Sequence, residues 1–297
     1  MTVQVHGALR HILADEVAQL SRKIEADLNL RRPEEAGRQG FVAANSINPG
    51  LLLHRLWLDA DRDDVTLALR AAQLRAVAVA CRQVPGELLR AVHARRAAAA
   101  AALAARYPGW TWRAVLIAPM WRLVLGHGED SVHETGLTLS PTYGVPMLPG
   151  TALKGLAAAT ARDREAGWTD LDTTLFGAPR PDRPASATHR GSVLIWDGLP
   201  TAPPQLVLDV LTPHVKAYYD SGNTNGTPNA APAEYHNPVP IRFLAVENTR
   251  FRAYAIGPRA DVAHYVQLVR SGLDELGIGG KTAAGYGYCV SREEEPP

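Results

Sequence analysis

A helix that runs straight into a cluster of glycines sets the strongest limit on how this chain can fold. From Pro258 and Asp261 onward, apolar residues recur at Val262, Tyr265, Val266, Val269, Leu273 and Leu276, the steps of three and four that mark one face of a helix. Gly277–Gly287, GIGGKTAAGYG, follows at once, and five of its eleven residues are glycine. Without a Cβ such a run takes φ > 0 and brings several backbone N–H groups close to a ligand. Gly279, Gly280, Lys281 and Thr282 read as an anion-binding loop, with a structural turn at the helix end as the alternative. The spacing rules out a Walker A loop, because its first glycine would fall on Glu275 and the helix precedes the loop instead of following it. The dinucleotide fingerprint fails on the same order of elements. A short strand over Tyr286–Val290 and an acidic tail from Ser291 are expected next.

With 297 residues and 46% hydrophobic content the chain can form one large domain or two ordinary ones. Its formal net charge of +1 excludes a protein that coats nucleic acid by bulk charge. Cys81 and Cys289 stand far apart, which indicates neither a disulfide framework nor a Cys-based zinc site, so a cytoplasmic location is expected. The apolar run Ala97–Ala105 is too short to span a bilayer, and Met1–Arg10 does not read as a signal peptide, so no membrane partner is expected.

The spacing predicts a helix over Leu9–Leu28, a turn at Asn48–Gly50, and helices over Val65–Arg82 and Glu87–Arg106 divided by Pro85-Gly86. Arg90, Arg95, Arg96 and Arg106 form a stripe that reads as a solvated face. A domain boundary is placed at Tyr107–Trp110, separating a helical N-terminal region, 1–110, from 111–297. Trp112–Leu125 fits a strand bent at Pro119. The loop Gly126–Gly136 then carries His127, Glu129, Asp130, His133 and Glu134, in no spacing that suits a metal. General acid-base work by His127 or His133 and a plain solvated loop both remain open there.

Around Tyr143–Trp168, Gly150 ends a turn, Thr151 reads as a helix N-cap and Lys154 falls in the first turn. A cation opposes the helix dipole in that place, whereas backbone N–H groups and a lysine together suit a phosphate. Gly155 suggests close approach by another backbone. Strands are expected at Ser192–Trp196 and Leu206–Leu211, and a hairpin over Pro240–Val246 and Phe251–Ile256. Between them the long stretch Thr212–Pro240 offers Lys216 to phosphates and Tyr218 and Tyr219 as stacking surfaces or packing anchors.

After Trp110 the order is strand, helix, strand, strand, helix, strand, with extra strands set aside. That is the α+β, ferredoxin-like (RRM-like) unit. The glycine loop, LPGTALKG at Leu148–Gly155, LFG at Leu175–Gly177, DVLTPHVKAYY and HNPVPIRFLAVE fall in an order that resembles the RAMP superfamily of CRISPR proteins. More narrowly, they resemble the family of sixth Cmr subunits of type III-B effectors. The resemblance implies a RAMP ferredoxin-like domain over 111–297 with a long insertion at about 212–240. It further implies a non-catalytic subunit, without cofactor or metal, that caps the 3′ end of the CRISPR RNA. Implied partners are CRISPR RNA, target RNA, the backbone and 3′-end neighbouring Cmr RAMP subunits, and the small helical subunit. RNA contacts are then expected at Gly150, Thr151, Lys154, Lys216, Gly279, Gly280, Lys281, Thr282 and Tyr286, and also at His127, Arg162, Tyr218 and Tyr219. Tyr286 has a core role as its alternative. RAMP helices often carry Arg four residues after the motif lysine; here that position is Ala158, and Arg162 one turn later is the substitute. The rival reading is a metal-independent RAMP endoribonuclease that processes CRISPR RNA, with His127 or His133 as general base.

Residues 111–297 carry 16 Lys and Arg against 19 Asp and Glu. RNA must therefore be held by local amides and a few lysines.

Overall fold

The computed structural model describes residues 3–7, 10–29, 47–61, 63–129, 131, 135–164, 174–177, 190–212 and 240–294. The chain opens with β1 (Val3–Gly7), α1 (Arg10–Asn29), α2 (Pro49–His54), β2 (Leu56–Ala60), α3 (Asp63–Arg82) and α4 (Gly86–Ala104). The three long helices match the periodicity: α1 buries Val17, Leu20 and Ile24, and α3 carries Asp63 and Asp64 in its first turn. Two things differ from expectation. β1 and β2 pair antiparallel, so the region is not purely helical. The Asn48–Gly50 segment is a helix start, with the Asn48 side chain accepting from the Gly50 N–H and Pro49 at the first position. Gln73 of α3 donates through Nε2 to the carbonyls of Leu52 (2.7 Å) and Leu56 (2.8 Å), which occupies acceptors where α2 ends and β2 begins.

β3 (Trp110–Pro119), β4 (Arg122–Leu123), α5 (Gly150–Arg164), β5 (Leu194–Pro200), β6 (Gln205–Leu211), β7 (Ile241–Glu247), β8 (Phe251–Pro258), α6 (Arg259–Glu275) and β9 (Cys289–Glu294) follow. β5, β8, β3 and β9 form a four-stranded sheet in that spatial order, and every pairing is antiparallel. β4, β7 and β6 form a separate antiparallel sheet. The fold is thus a mixture of helices and antiparallel sheets, as the α+β expectation required.

The bend at Pro119 is where the chain leaves one sheet for the other: β3 ends there and β4 pairs with β7. The expected hairpin does not form. β7 and β8 adjoin in sequence, but β7 pairs with β4 and β6 while β8 pairs with β3 and β5. Asn248, at φ 45°, helps turn the chain between them. β5 continues past Trp196, where the expected strand ends, by means of an irregularity between Trp196 and Leu199. The expected acidic tail is in its first four residues part of β9, where Glu293 pairs with Arg113, and Glu294 lies 3.0 Å from Arg252.

α6 buries the predicted Val262, Tyr265, Val266, Val269 and Leu273, each side chain of this size contributing about 1.5–3 kcal/mol. It packs on α5 through Gly272, where an added Cβ would stand 2.4 Å from Thr160 Oγ1. The close approach expected of Gly155 is therefore made by Gly272; Gly155 itself faces open space. α3 packs against β6 and β7, and α4 against β3 and β8. Val17 and Leu69 share one apolar cluster with Leu123, Leu244 and Leu273.

Candidate nucleic-acid interface

α6 ends where the Gly277 N–H donates to the Gly272 carbonyl at 2.9 Å. The loop then folds onto β4 and its continuation: Gly280 N–H donates to Val124 O and Gly287 N–H to Arg122 O, both at 2.8 Å. Gly277, Gly279, Gly285 and Gly287 take φ of 73°, 88°, 88° and 80°, and Lys281 takes 61° without being glycine. The glycines at 279 and 287 are required for contact, since a Cβ would come within 2.2 Å of Val124 O and 2.1 Å of Ile278 O respectively. Much of the amide set predicted to cradle a ligand is therefore committed to the protein, through Ile278, Gly280, Tyr286 and Gly287. What the loop presents outward is its tip, with Lys281 and Thr282 half-buried and Ala283 to Gly285 exposed.

The bridge between Val124 and Gly280 brings His127 to this tip. Burial, and secondly the charge of Lys281, lower the His127 pKa, so the ring is neutral near pH 7. Its edge meets the Phe243 ring at 5.4 Å, and its buried Nδ1 has no partner among the described residues. Glu129 is engaged elsewhere, accepting from Thr138 Oγ1 at 2.7 Å.

Tyr286 takes the core role that the sequence offered beside an RNA contact. Its ring is buried, 4.9 Å from that of Trp121, and its hydroxyl donates to Asp209 Oδ2 at 2.8 Å. Burial, and next the Asp209 carboxylate, push its pKa up to about 12. The exposed aromatic at this corner is Trp121, with the Arg122 guanidinium 5.1 Å from its ring centroid. Sequence reasoning passed over Trp121; its place two residues after the strand-bending Pro119 was the available signal.

At the other expected site, α5 starts at Gly150 and not after a Thr151 cap. The Gly150 N–H donates to Asp197 Oδ1 at 2.7 Å, and a Cβ there would meet Ile195 O at 2.6 Å. One helix-terminal amide is thus already held by a carboxylate, while Thr151, Lys154 and Arg162 are exposed. Gly150 lies against β5 through Ile195 and Asp197, and Gly280 lies against Val124 just after β4. Lys216, Tyr218, Tyr219, His133 and nearly all of the 212–240 insertion lie outside the described residues. Among the described residues no three His, Cys, Asp or Glu side chains gather into a metal-binding group, and no helix is long and apolar enough to cross a membrane. The expected solvated arginine stripe also breaks at Arg96, which donates to the Asp197 carbonyl and lies 5.2 Å from the Tyr254 ring centroid.

The model of the RAMP superfamily matches residues 115–290, which runs from the middle of β3 to the start of β9 and includes the whole glycine loop. The chain belongs to the RAMP superfamily. Within it, the Cmr subunit Cmr6 of the CRISPR system of Pyrococcus furiosus is 30% identical over 224 residues, 57% of this chain. The match spans 65% of that relative, a little under two thirds of its length. A cryo-EM structure of the type III-B Cmr-beta complex bound to cognate target RNA holds a chain similar in fold. It superposes with a TM-score of 0.57 at 21% identity, over 80% of this chain and 77% of that one.

Proposed function

We propose that this RAMP protein is an RNA-binding subunit of a type III-B CRISPR effector, without catalytic activity of its own, seated at the 3′ end of the CRISPR RNA. The observation that carries the reading is the loop tip: Lys281, held at positive φ beside a neutral His127, stands on a glycine scaffold stitched to β4. Such a tip offers one cation and a few amides to a phosphate and does not read bases, as guide binding requires. The similarity to Cmr6 supplies the assembly, and with it the CRISPR RNA, the target RNA, the neighbouring Cmr subunits and the cytoplasm as expected surroundings. The strand order β5-β8-β3-β9 supports reading 111–294 as the ferredoxin-like unit.

Lys281→Ala is expected to flatten the slope of log K against log[salt] for single-stranded RNA by about 0.7, the value for one lost phosphate contact. Lys154→Ala should do the same. Salt titration by fluorescence anisotropy measures both; an unchanged slope removes that lysine from the path. Purification from the native host with CRISPR RNA and several RAMP subunits attached tests the assembly itself.

The endoribonuclease reading draws on the depressed pKa of His127, which keeps the imidazole a competent base. Labelled repeat RNA incubated with the protein in EDTA is expected to stay intact. Site-specific cuts that His127→Ala abolishes would replace the binding-only reading.

A further inference from the structure

α4 covers one face of the four-stranded sheet only part-way. Ala97, Ala100, Leu103 and Ala104 pack over Trp112, Ala114, Tyr254 and Ile256, and the next positions on that face, Leu116 and Ala118, lie beyond them. Val290 of the edge strand pairs opposite Ala118 and is 57% exposed, and Met120, just past β3, is 65% exposed. Two hollows of about 330 and 500 Å³ meet here, sharing Ala118 and Arg250 in their linings. Arg252 and Arg292 both sit opposite Leu116 and share the carboxylate of Glu294, at 3.0 and 3.2 Å. Arg250 has no carboxylate within ion-pair distance among the described residues. Among the described residues, three guanidinium groups thus flank an aliphatic strip against one carboxylate.

We propose that this open sheet face docks an acidic, aliphatic segment of a partner protein. The charge excess selects an anionic partner. Its chemistry selects protein over RNA, because Leu116, Ala118 and Val290 form an aliphatic strip that apolar side chains can bury and a phosphate backbone cannot. Apolar side chains of the segment fill the strip of Leu116, Ala118 and Val290, and its carboxylates meet Arg250 and the half-neutralised pair Arg252 and Arg292. This surface is separate from the loop tip and does not depend on what that tip binds.

The test is photo-crosslinking in the native host, with Val290→p-benzoylphenylalanine in the full chain and the adduct mapped by mass spectrometry. The expected product is a protein adduct that survives ribonuclease, maps to a segment of net negative charge, and falls at least fivefold in yield when Arg250→Glu is added. An unchanged circular-dichroism melt for the double variant shows that the loss is not unfolding. An RNA adduct, an adduct to a second copy of this chain, a neutral or basic segment, insensitivity to Arg250→Glu, or no adduct would each overturn the proposal.

Discussion

Gly287→Val is expected to destabilise the protein by about 3 kcal/mol and to abolish binding of single-stranded RNA, whereas Gly285→Ala should cost about 1 kcal/mol and leave binding nearly intact. Both glycines have positive φ, 80° and 88°, so the backbone penalty of a side chain is shared. What separates them is space. A Cβ on Gly287 would stand 2.1 Å from the Ile278 carbonyl oxygen, on the residue whose N–H donates to Gly287 O and so closes the loop. A Cβ on Gly285 meets nothing within 4 Å. The loop also has no room to give way, because Gly287 N–H is bound to Arg122 O and Gly280 N–H to Val124 O. Urea unfolding checks the pair: the midpoint falls with little change in slope for Gly285→Ala and far more steeply for Gly287→Val. Equal losses for the two variants would show that the loop yields as a flexible connector.

The same loop shows what a sequence can and cannot disclose. Its glycines were legible because positive φ is a local demand, and the apolar face of α6 was legible because helical contacts repeat along the chain. Strand pairing is not local. Ile241–Glu247 and Phe251–Pro258 look like a hairpin since only three residues part them, yet their partners come from Leu123, Trp112, Leu194 and Leu206, the farthest of these, Trp112, about 145 residues from its partner Ile256. Glu293 and Glu294 look like a solvated tail because nothing nearby in sequence reveals Arg113 and Arg252 across the sheet. The site was divided in the same way. Lys281 stood out from its own neighbours, but its closeness to His127 depends on one bridge, Val124 to Gly280, between segments far apart in the chain. Gly150 was noticed for its amide, and only the bulged β5 shows that Asp197 already holds it.

Asp209→Ala should have the second large effect, a loss of about 2–3 kcal/mol, because it removes the acceptor that joins three elements. Asp209 Oδ2 accepts from Arg122 Nη1 at 2.7 Å and from the Tyr286 hydroxyl at 2.8 Å, and Oδ1 accepts from the Val210 N–H at 2.9 Å. Without it the buried Tyr286 hydroxyl loses its acceptor, and of the carboxylates paired with Arg122 only Glu247 remains, at 3.5 Å. Burial alone would raise the Asp209 pKa; the Tyr286 and Val210 hydrogen bonds and then Arg122 overcome it, and the net shift is downward. A carboxyl whose folded pKa is depressed stabilises fully above its unfolded value, near 3.9, and loses that contribution as pH falls through the folded value. The stability gap between the natural protein and Asp209→Asn is therefore expected to be constant from about pH 6 to 5 and to narrow below about pH 4. Urea midpoints measured across that range decide it, and a gap that widens on acidification would mean that Asp209 is not held as an anion. Because Tyr286 leads from this carboxylate into the glycine loop, Asp209→Asn should also weaken single-stranded RNA binding at neutral pH, although Asp209 is an anion that would itself repel phosphate. A simple electrostatic role predicts the opposite sign, so the direction of the change separates support of the loop from repulsion of the ligand.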